Sequence, residues 1–306
     1  MSGFGMFENR LEECPDVLLR LGDSGYPPLL ACIEAPPDPL RVCGRVDDLA
    51  AFLGAPTIGI VGSRDCGMEA EAFARRLGRD LAQAGWVVVS GLARGIDAAA
   101  HHGALEAGGR TLAVVGCGLD VVYPRVNREL RAAIRDRGLL VGEYSPGTPP
   151  RKQNFPARNR ILSGLSCGVV VVEASERSGS LITARLALEQ GREVLAVPGS
   201  PLDGRSRGSN ALLREGAGLV ESAADVVAAL PWLASWEPLL RRAGENPASS
   251  HVERSPLEAL IDQGVQVVDT LASATQRPVG ELQAELFVLE RDGRIRRLRD
   301  GSYRLV

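Results

Sequence analysis

The stretch that decides the fold runs from Gly59 to Asp97. It opens with GIVGSR (Gly59–Arg64), passes through a segment of helical character and closes with VVVSGLARGID (Val87–Asp97). Two runs of apolar, β-branched character, Thr57–Val61 and Val87–Val89, each stop at a small turn, Gly62-Ser63-Arg64 and Ser90-Gly91. Between them Phe73, Leu77 and Leu81 recur four residues apart, the buried stripe of a helix that ends at Gly85. Strand, helix and strand with glycine turns at the strand ends describe a parallel sheet, and ligands bind such sheets at the carboxyl ends of neighbouring strands. Glycine admits close backbone approach, and free N–H groups at a helix start favour anions. Arg64 and Arg94 add positive charge to the same rim, so these turns point to a site for phosphates.

The alternation continues on both sides of this unit. Further strands are expected at Thr111–Val115, Leu139–Glu143, Val169–Glu173 and Glu193–Val197, with the second strand beginning at Trp86. They are nearly continuous in Val, Ile and Leu, as strands covered on both faces are. Helical patterns at Ile96–Ala107, Asn127–Arg137, Ala157–Leu165 and Leu181–Gln190 separate them, which predicts a doubly wound α/β core over residues 54–231. Residues 1–53 read as a small, mostly helical unit, from the apolar spacing of Phe7–Leu21, a Pro-rich break at Tyr26–Leu40 and a short helix at Asp47–Leu53. Pro, Ser, Asn and charge dominate 232–254, a linker. In 255–306, helices at Leu257–Asp262, Val267–Ala274 and Val279–Asp292 precede a hairpin signal, Asp300-Gly301, the order of a winged helix.

At 306 residues the chain can bury a large core beside smaller modules. Its start has neither a basic nor an apolar leader region, and no apolar run approaches the roughly 20 residues of a membrane span, so a cytoplasmic protein without a membrane anchor is expected. Six scattered cysteines form no CxxC, and three histidines are too few to complete a zinc set, so free thiols and no metal are expected. Net charge is −3, which requires any nucleic-acid role to rest on a local basic patch. One exists: Tyr144–Val172 holds no Asp or Glu but contains Arg151, Arg158, Arg160 and Lys152, the only lysine of the chain.

Several loops converge on the sheet's carboxyl edge in this reading. They carry Gly62, Ser63 and Arg64; Ser90, Gly91 and Arg94; Gly116 and Gly118, with Tyr123-Pro124 following; and Lys152, Phe155, Arg158, Asn159 and Arg160. Ser178, Gly179 and Ser180 start the next helix and can cap it or hold an anion. Turn glycines often serve the turn alone, Arg158 and Arg160 have potential partners in Glu173 and Glu176, and Phe155 can be core. The combination argues otherwise: cations hold backbone phosphates while an aromatic face stacks a base for roughly 1–3 kcal/mol whatever its identity. A bound dinucleotide or ATP is not expected, since the first turn has no GxGxxG, the second strand no terminal acid, and the chain no Gly-Lys pair. Asp97 and His101, four apart, are expected to be a helix-start carboxylate satisfying a histidine rather than an acid–base or metal pair.

With these loops in place the chain resembles the DNA-processing protein A family (DprA, also called Smf). The resemblance is carried by GIVGSR (59–64), SGLARGIDAAAHHGAL (90–105), GCGLDVVYP (116–124), FPARNRILSGLS (155–166), VVVEASERSGSLITARLALEQGREVLAVPG (170–199) and GSNALLREGA (208–217). It implies an extended Rossmann-like core with a winged-helix carboxyl terminus. It further implies a cofactor-free, non-catalytic, dimeric protein that binds single-stranded DNA and loads RecA recombinase in natural transformation. The implied pocket uses Gly62, Ser63, Arg64, Lys152, Phe155, Asn159 and Arg160. The sequence departs from the family pattern at Gly142-Glu143-Tyr144 and in a short amino-terminal unit.

The rival reading is an α/β hydrolase that releases a base from a nucleoside monophosphate. Glu173 or Glu143 would be its acid–base group, and Arg64 and Ser180 its phosphate ligands. The acid-free, aromatic-bearing loop weighs against it. At the carboxyl end six arginines against two aspartates leave Arg291–Val306 at net +4, which suits a duplex-binding wing, a solvated hairpin or a protein-docking face.

Overall fold

Nine strands form one sheet, and the central apolar runs lie in it as parallel neighbours. The computed structural model describes residues 16–23, 25–202, 204–230, 255–291, 294–298 and 301–305. The strands are β1 (Val17–Leu19), β2 (Leu40–Gly44), β3 (Thr57–Val61), β4 (Val87–Ser90), β5 (Thr111–Val114), β6 (Leu139–Gly142), β7 (Gly168–Val171), β8 (Glu193–Ala196) and β9 (Gly218–Leu219). Their spatial order is β1-β2-β6-β5-β4-β3-β7-β8-β9. From β3 the chain winds outward through β4, β5 and β6, then crosses back to β7 and winds the other way through β8 and β9. All these pairings are parallel, with Gly59 opposite Val89 and Val61 opposite Val171. The direction reverses between β3 and β7, so the turns after these two strands diverge and leave a crevice.

Short helices α1 (Pro28–Ala31) and α2 (Leu49–Leu53) precede β3. The sheet is covered by α3 (Met68–Gln83), α4 (Ile96–Glu106), α5 (Arg128–Arg137), α6 (Asn154–Gly164), α7 (Ser180–Glu189), α8 (Arg207–Arg214) and α9 (Ala223–Ala229). Alternation along each strand divides the core between two faces. Ile58, Ile60 and Val88 pack with Leu77, Leu81 and Ile96, whereas Val61, Val87 and Val89 pack with Ile161 and Leu162. Because both faces are covered, the strands read as unbroken apolar runs, and their ends fall within one or two residues of the expected ones.

The amino-terminal unit departs from the helical expectation. Most of Phe7–Leu21 lies outside the described residues, and within the described part, residues 16–21, Val17–Leu19 is a strand. It pairs antiparallel with β2, and β2 pairs antiparallel with β6, placing Val42 opposite Val141. Leu40 and Val42, spaced by two, are buried in the core. The partner strand that explains them is about a hundred residues away, which no local pattern reveals. Cys32, Cys66, Cys117 and Cys167 are free thiols, whereas Cys43 is disulfide-bonded, against the expectation of free thiols throughout.

The carboxyl-terminal module is a winged helix. It comprises α10 (Pro256–Asp262), α11 (Val268–Thr275), α12 (Val279–Arg291), β10 (Ile295–Arg297) and β11 (Tyr303–Leu305). Ser255 and Glu258 cap α10 reciprocally with Pro256 in its first turn. Leu257, Ile261, Leu271, Leu282, Leu286 and Leu289 form the module's own core. The hairpin is one residue wider than a two-residue turn: the Leu298 N–H donates to the Ser302 carbonyl at 2.7 Å, and Gly301 sits at φ +81°. The linker at 232–254 lies outside the described residues, as do Asp292, Arg299 and Asp300.

The winged helix docks at the amino ends of the parallel strands. Phe287 of α12 enters the core cluster of Leu29, Ile58 and Cys167. Arg192, just before β8, approaches Glu290 to 3.6 Å with both side chains almost fully buried, and donates to the Leu29 carbonyl at 2.9 Å. Arg297 donates to the Gly191 carbonyl at 2.7 Å.

Candidate nucleic-acid interface

The turn after β3 is clamped on two sides. The Ser63 N–H donates to the Glu173 carbonyl at 2.7 Å, and the Ile96 N–H donates to the Ser63 carbonyl at 3.2 Å. The fit excludes a side chain at Gly62, where a Cβ would lie 2.6 Å from Ile96 Cγ1 and 3.0 Å from the Glu173 carbonyl. Gly95, at φ +73°, lets α4 begin directly against Ser63 and Arg64. Arg64 is left exposed, its guanidinium carbon 5.2 Å from the Phe155 ring centre, a cation–π arrangement.

Buried polar groups brace the neighbouring turns. Leu92 adopts the left-handed conformation, at φ +56°, a strained position for a branched residue that surrounding bonds must hold. Asn127 Nδ2 donates to the Leu92 and Ala93 carbonyls at 3.0 and 3.1 Å. Asp97 accepts from the N–H groups of Gly91 and Ala93 at 3.1 and 3.3 Å. Arg158 is 4 % exposed; it donates to the Gly91 carbonyl at 2.7 Å and to that of Val114. Burial pushes the Asp97 carboxyl up from its ordinary range, with Arg158 the foremost opposing influence. Burial likewise lowers the Arg158 guanidinium, and Asp97 counters it. Arg158 thus ties α6 to the ends of β4 and β5, and Ser90, wholly buried, donates to the Ile60 carbonyl at 2.6 Å.

Above this framework a groove of about 630 Å³ follows the crevice between β3 and β7. It gathers Gly62, Ser63, Arg64, Lys152, Phe155, Asn159, Ser178, Gly179 and Ser180, and Arg158 forms part of its wall. Ser178 and Ser180 share a hydroxyl–hydroxyl bond of 2.6 Å at the start of α7. A smaller cavity of about 80 Å³ adjoins it, bounded by Gly91, Arg94 and Gly116, with Arg64, Tyr123 and Phe155 common to both. The rings of Tyr123 and Phe155 lie 5.4 Å apart, tilted by 36°. Gly118 lies outside both spaces, its N–H donating to the Thr148 carbonyl at 3.0 Å. Arg160 also lies outside, paired with Glu143 at 2.6 Å; its partner is neither Glu173 nor Glu176.

Three side chains gain importance only in three dimensions. Tyr123 stands in a loop the sequence singled out, yet nothing local showed that it would meet Phe155. Asn127 holds the Leu92–Ala93 turn through long-range bonds, and Asp97 holds it from within the same loop. His101 is not satisfied by Asp97: its Nδ1 lies 2.7 Å from Thr111 Oγ1, and that hydroxyl donates to the Val88 carbonyl. Nδ1 therefore carries the proton, and burial drops the imidazole pKa to about 3.

These features define an open α/β protein with a cationic, aromatic-edged groove at its topological switch point and a winged helix at the opposite edge. A family model described as DNA recombination-mediator protein A matches residues 17–231, and one described as the DprA winged helix domain matches residues 241–301. The chain belongs to the DNA recombination-mediator protein A family. It is 48 % identical over 206 residues to DNA processing protein DprA of Streptococcus pneumoniae, covering 67 % of this chain and 71 % of that one. It is 39 % identical over 302 residues to protein Smf of Escherichia coli, covering 96 % and 79 %. Among solved structures, DprA of Streptococcus pneumoniae matches with a TM-score of 0.66 and 45 % identity, covering 72 % of this chain and 75 % of that one. DNA processing protein A from Helicobacter pylori, a structure that concerns its single-stranded DNA binding mode, matches with a TM-score of 0.64 and 29 % identity, covering 71 % and 96 %. No helix among the described residues is long and apolar enough to cross a membrane.

Proposed function

We propose that this chain binds single-stranded DNA in the groove at the β3–β7 switch point and serves in DNA processing during natural transformation, passing the strand to RecA recombinase. The reading includes a cytoplasmic homodimer that needs no cofactor and performs no catalysis. One observation carries it: Arg64 lies over Phe155 at the mouth of a groove that also holds Lys152 and the Ser178–Ser180 helix start. Cations and helix N–H groups take phosphates, and the aromatic face takes a base without selecting it. The names of the relatives, and the single-stranded DNA binding mode of the Helicobacter pylori protein, support the same reading.

The nucleotide-hydrolase alternative draws less support from the placement of its two acid–base candidates. Glu143 pairs with Arg160, Glu173 accepts the Gly67 N–H at 3.2 Å while 5 % exposed, and neither lines the groove. The test is an oligonucleotide titration at two salt concentrations. Single strands lose about 0.7 log units of affinity per log unit of salt for each neutralised phosphate, so Arg64→Ala or Lys152→Ala lowers the slope by about that amount on every sequence. An unchanged affinity and slope for both variants would exclude the groove as the binding site.

A further inference from the structure

Beyond the groove, three exposed arginines, Arg94, Arg125 and Arg128, stand on two neighbouring segments that the groove's residues do not account for. Arg94 borders the smaller cavity. Arg125 and Arg128 follow Tyr123-Pro124 into a 3₁₀ turn, Arg125–Asn127, and the start of α5. The two segments are bonded together, because Asn127 between those arginines donates to the Leu92 and Ala93 carbonyls beside Arg94. No ion pair joins any of the three to an acid among the described residues. Asp120, the acid of the preceding turn, is engaged by the Gly147 N–H at 2.8 Å. Arg128 also opens α5, where the helix dipole disfavours a cation. Glu129 is the one acid in the first turn of α5, which leaves three cations on these two segments against one carboxylate, and an anion lying along them gains a favourable field.

Tyr123 connects these segments to the groove. It borders both cavities, is 38 % exposed, and stands 5.4 Å from Phe155 ring to ring. Two neighbouring aromatic faces, one beside Lys152 and Arg64 and the next beside Arg94 and Arg125, suit consecutive unpaired bases with phosphates on either side. We infer that the bound single strand leaves the groove across Tyr123 and continues over a phosphate-binding shelf formed by Arg94, Arg125 and Arg128. This rests on the single-strand reading and extends its footprint beyond the groove.

The test is the double substitution Arg125→Ala/Arg128→Ala in the full chain, with thymidine oligomers of about 6 and about 14 nucleotides, within the range of single-strand site sizes. Both side chains are solvent-facing, and an unchanged circular dichroism spectrum and light-scattering mass establish that fold and assembly are retained. The expected result is a three- to tenfold loss of affinity for the longer oligomer, with its salt slope lower by about 1.4, and unchanged binding of the shorter one. Equal binding of both oligomers by the double variant and the parent chain overturns the shelf and leaves the groove standing. Equal weakening on both oligomers also overturns it, since the arginines then act through the overall field. A parent chain that binds neither oligomer removes the single-strand reading itself, a separate failure.

Discussion

Arg158 and Lys152 stand six residues apart in one basic segment, and nothing in the local sequence separates their roles. Burial separates them: Arg158 braces the ends of two strands, β4 and β5, from inside, whereas Lys152 is exposed at the groove. Arg158→Ala is expected to cost about 3 kcal/mol in urea denaturation, because it strands the Asp97 carboxylate and removes the partner of the Gly91 and Val114 carbonyls. Lys152→Ala stays within about 0.5 kcal/mol of the parent while weakening DNA binding. Comparable destabilisation by both would show that the basic segment has no such division. His101 gives a second residue-scale expectation. Its folded pKa of about 3 lies below the ordinary 6.5, so the unfolded chain takes up the proton first. Its contribution is fully present above pH 6.5 and declines by about 1.4 kcal/mol per pH unit below it. Asp97, with a raised pKa, acts in the opposite direction, since the folded chain takes its proton first. That contribution is common to the parent and His101→Asn, so the difference between their stabilities at pH 7 and pH 5 isolates the histidine. An equal pH dependence in the two chains would contradict the buried neutral imidazole.

Among elements, legibility followed the range of the interactions. Strands β3 to β8 showed in the sequence because both faces are buried and each residue carries the signal by itself. β1 and β2 did not, because their strand character comes from pairing with each other and with distant β6. The helices of the winged module were equally plain, whereas their docking was not: Leu282, Leu286 and Leu289 mark the inner stripe of α12, and Phe287 and Glu290 lie on another face whose partner is the core. Arg294 is paired with Glu258 at 2.5 Å and Arg297 with the Gly191 carbonyl, which reduces the free charge of the hairpin. Arg192→Ala leaves Glu290 buried beside α12 without its counter-charge, and the expected cost is about 3 kcal/mol. Hydrogen exchange in residues 255–291 should then quicken while exchange in β3, β4 and β5 stays as in the parent chain. Uniform acceleration across both modules would mean that Arg192 supports the whole fold instead of the docked interface.

For the molecule as a whole, a net charge of −3 conceals a polar division of labour along the strand direction. Arg64, Lys152 and Phe155 sit beyond the carboxyl ends of the strands. Phe287 closes an apolar cavity with Thr57, Leu112 and Cys167 at the amino ends. The sheet between them is a packed layer whose strands are buried on both faces, and among the described residues no side chain of the docking contact lines the groove. The two functions of the surface should therefore be separable by single substitutions. Phe287→Ala removes a buried ring, at a cost of about 3–5 kcal/mol, and is expected to lower the melting temperature while leaving affinity for a thymidine oligomer within twofold. Phe155→Ala is expected to do the reverse: it removes a half-exposed ring, keeps the melting temperature close to that of the parent, and weakens binding by about 1–3 kcal/mol with little change in salt slope. The decisive comparison is the pair measured together. Loss of DNA affinity in Phe287→Ala at temperatures where the chain remains folded would mean that the winged helix communicates with the groove through the sheet, and the separation of the two edges would fail.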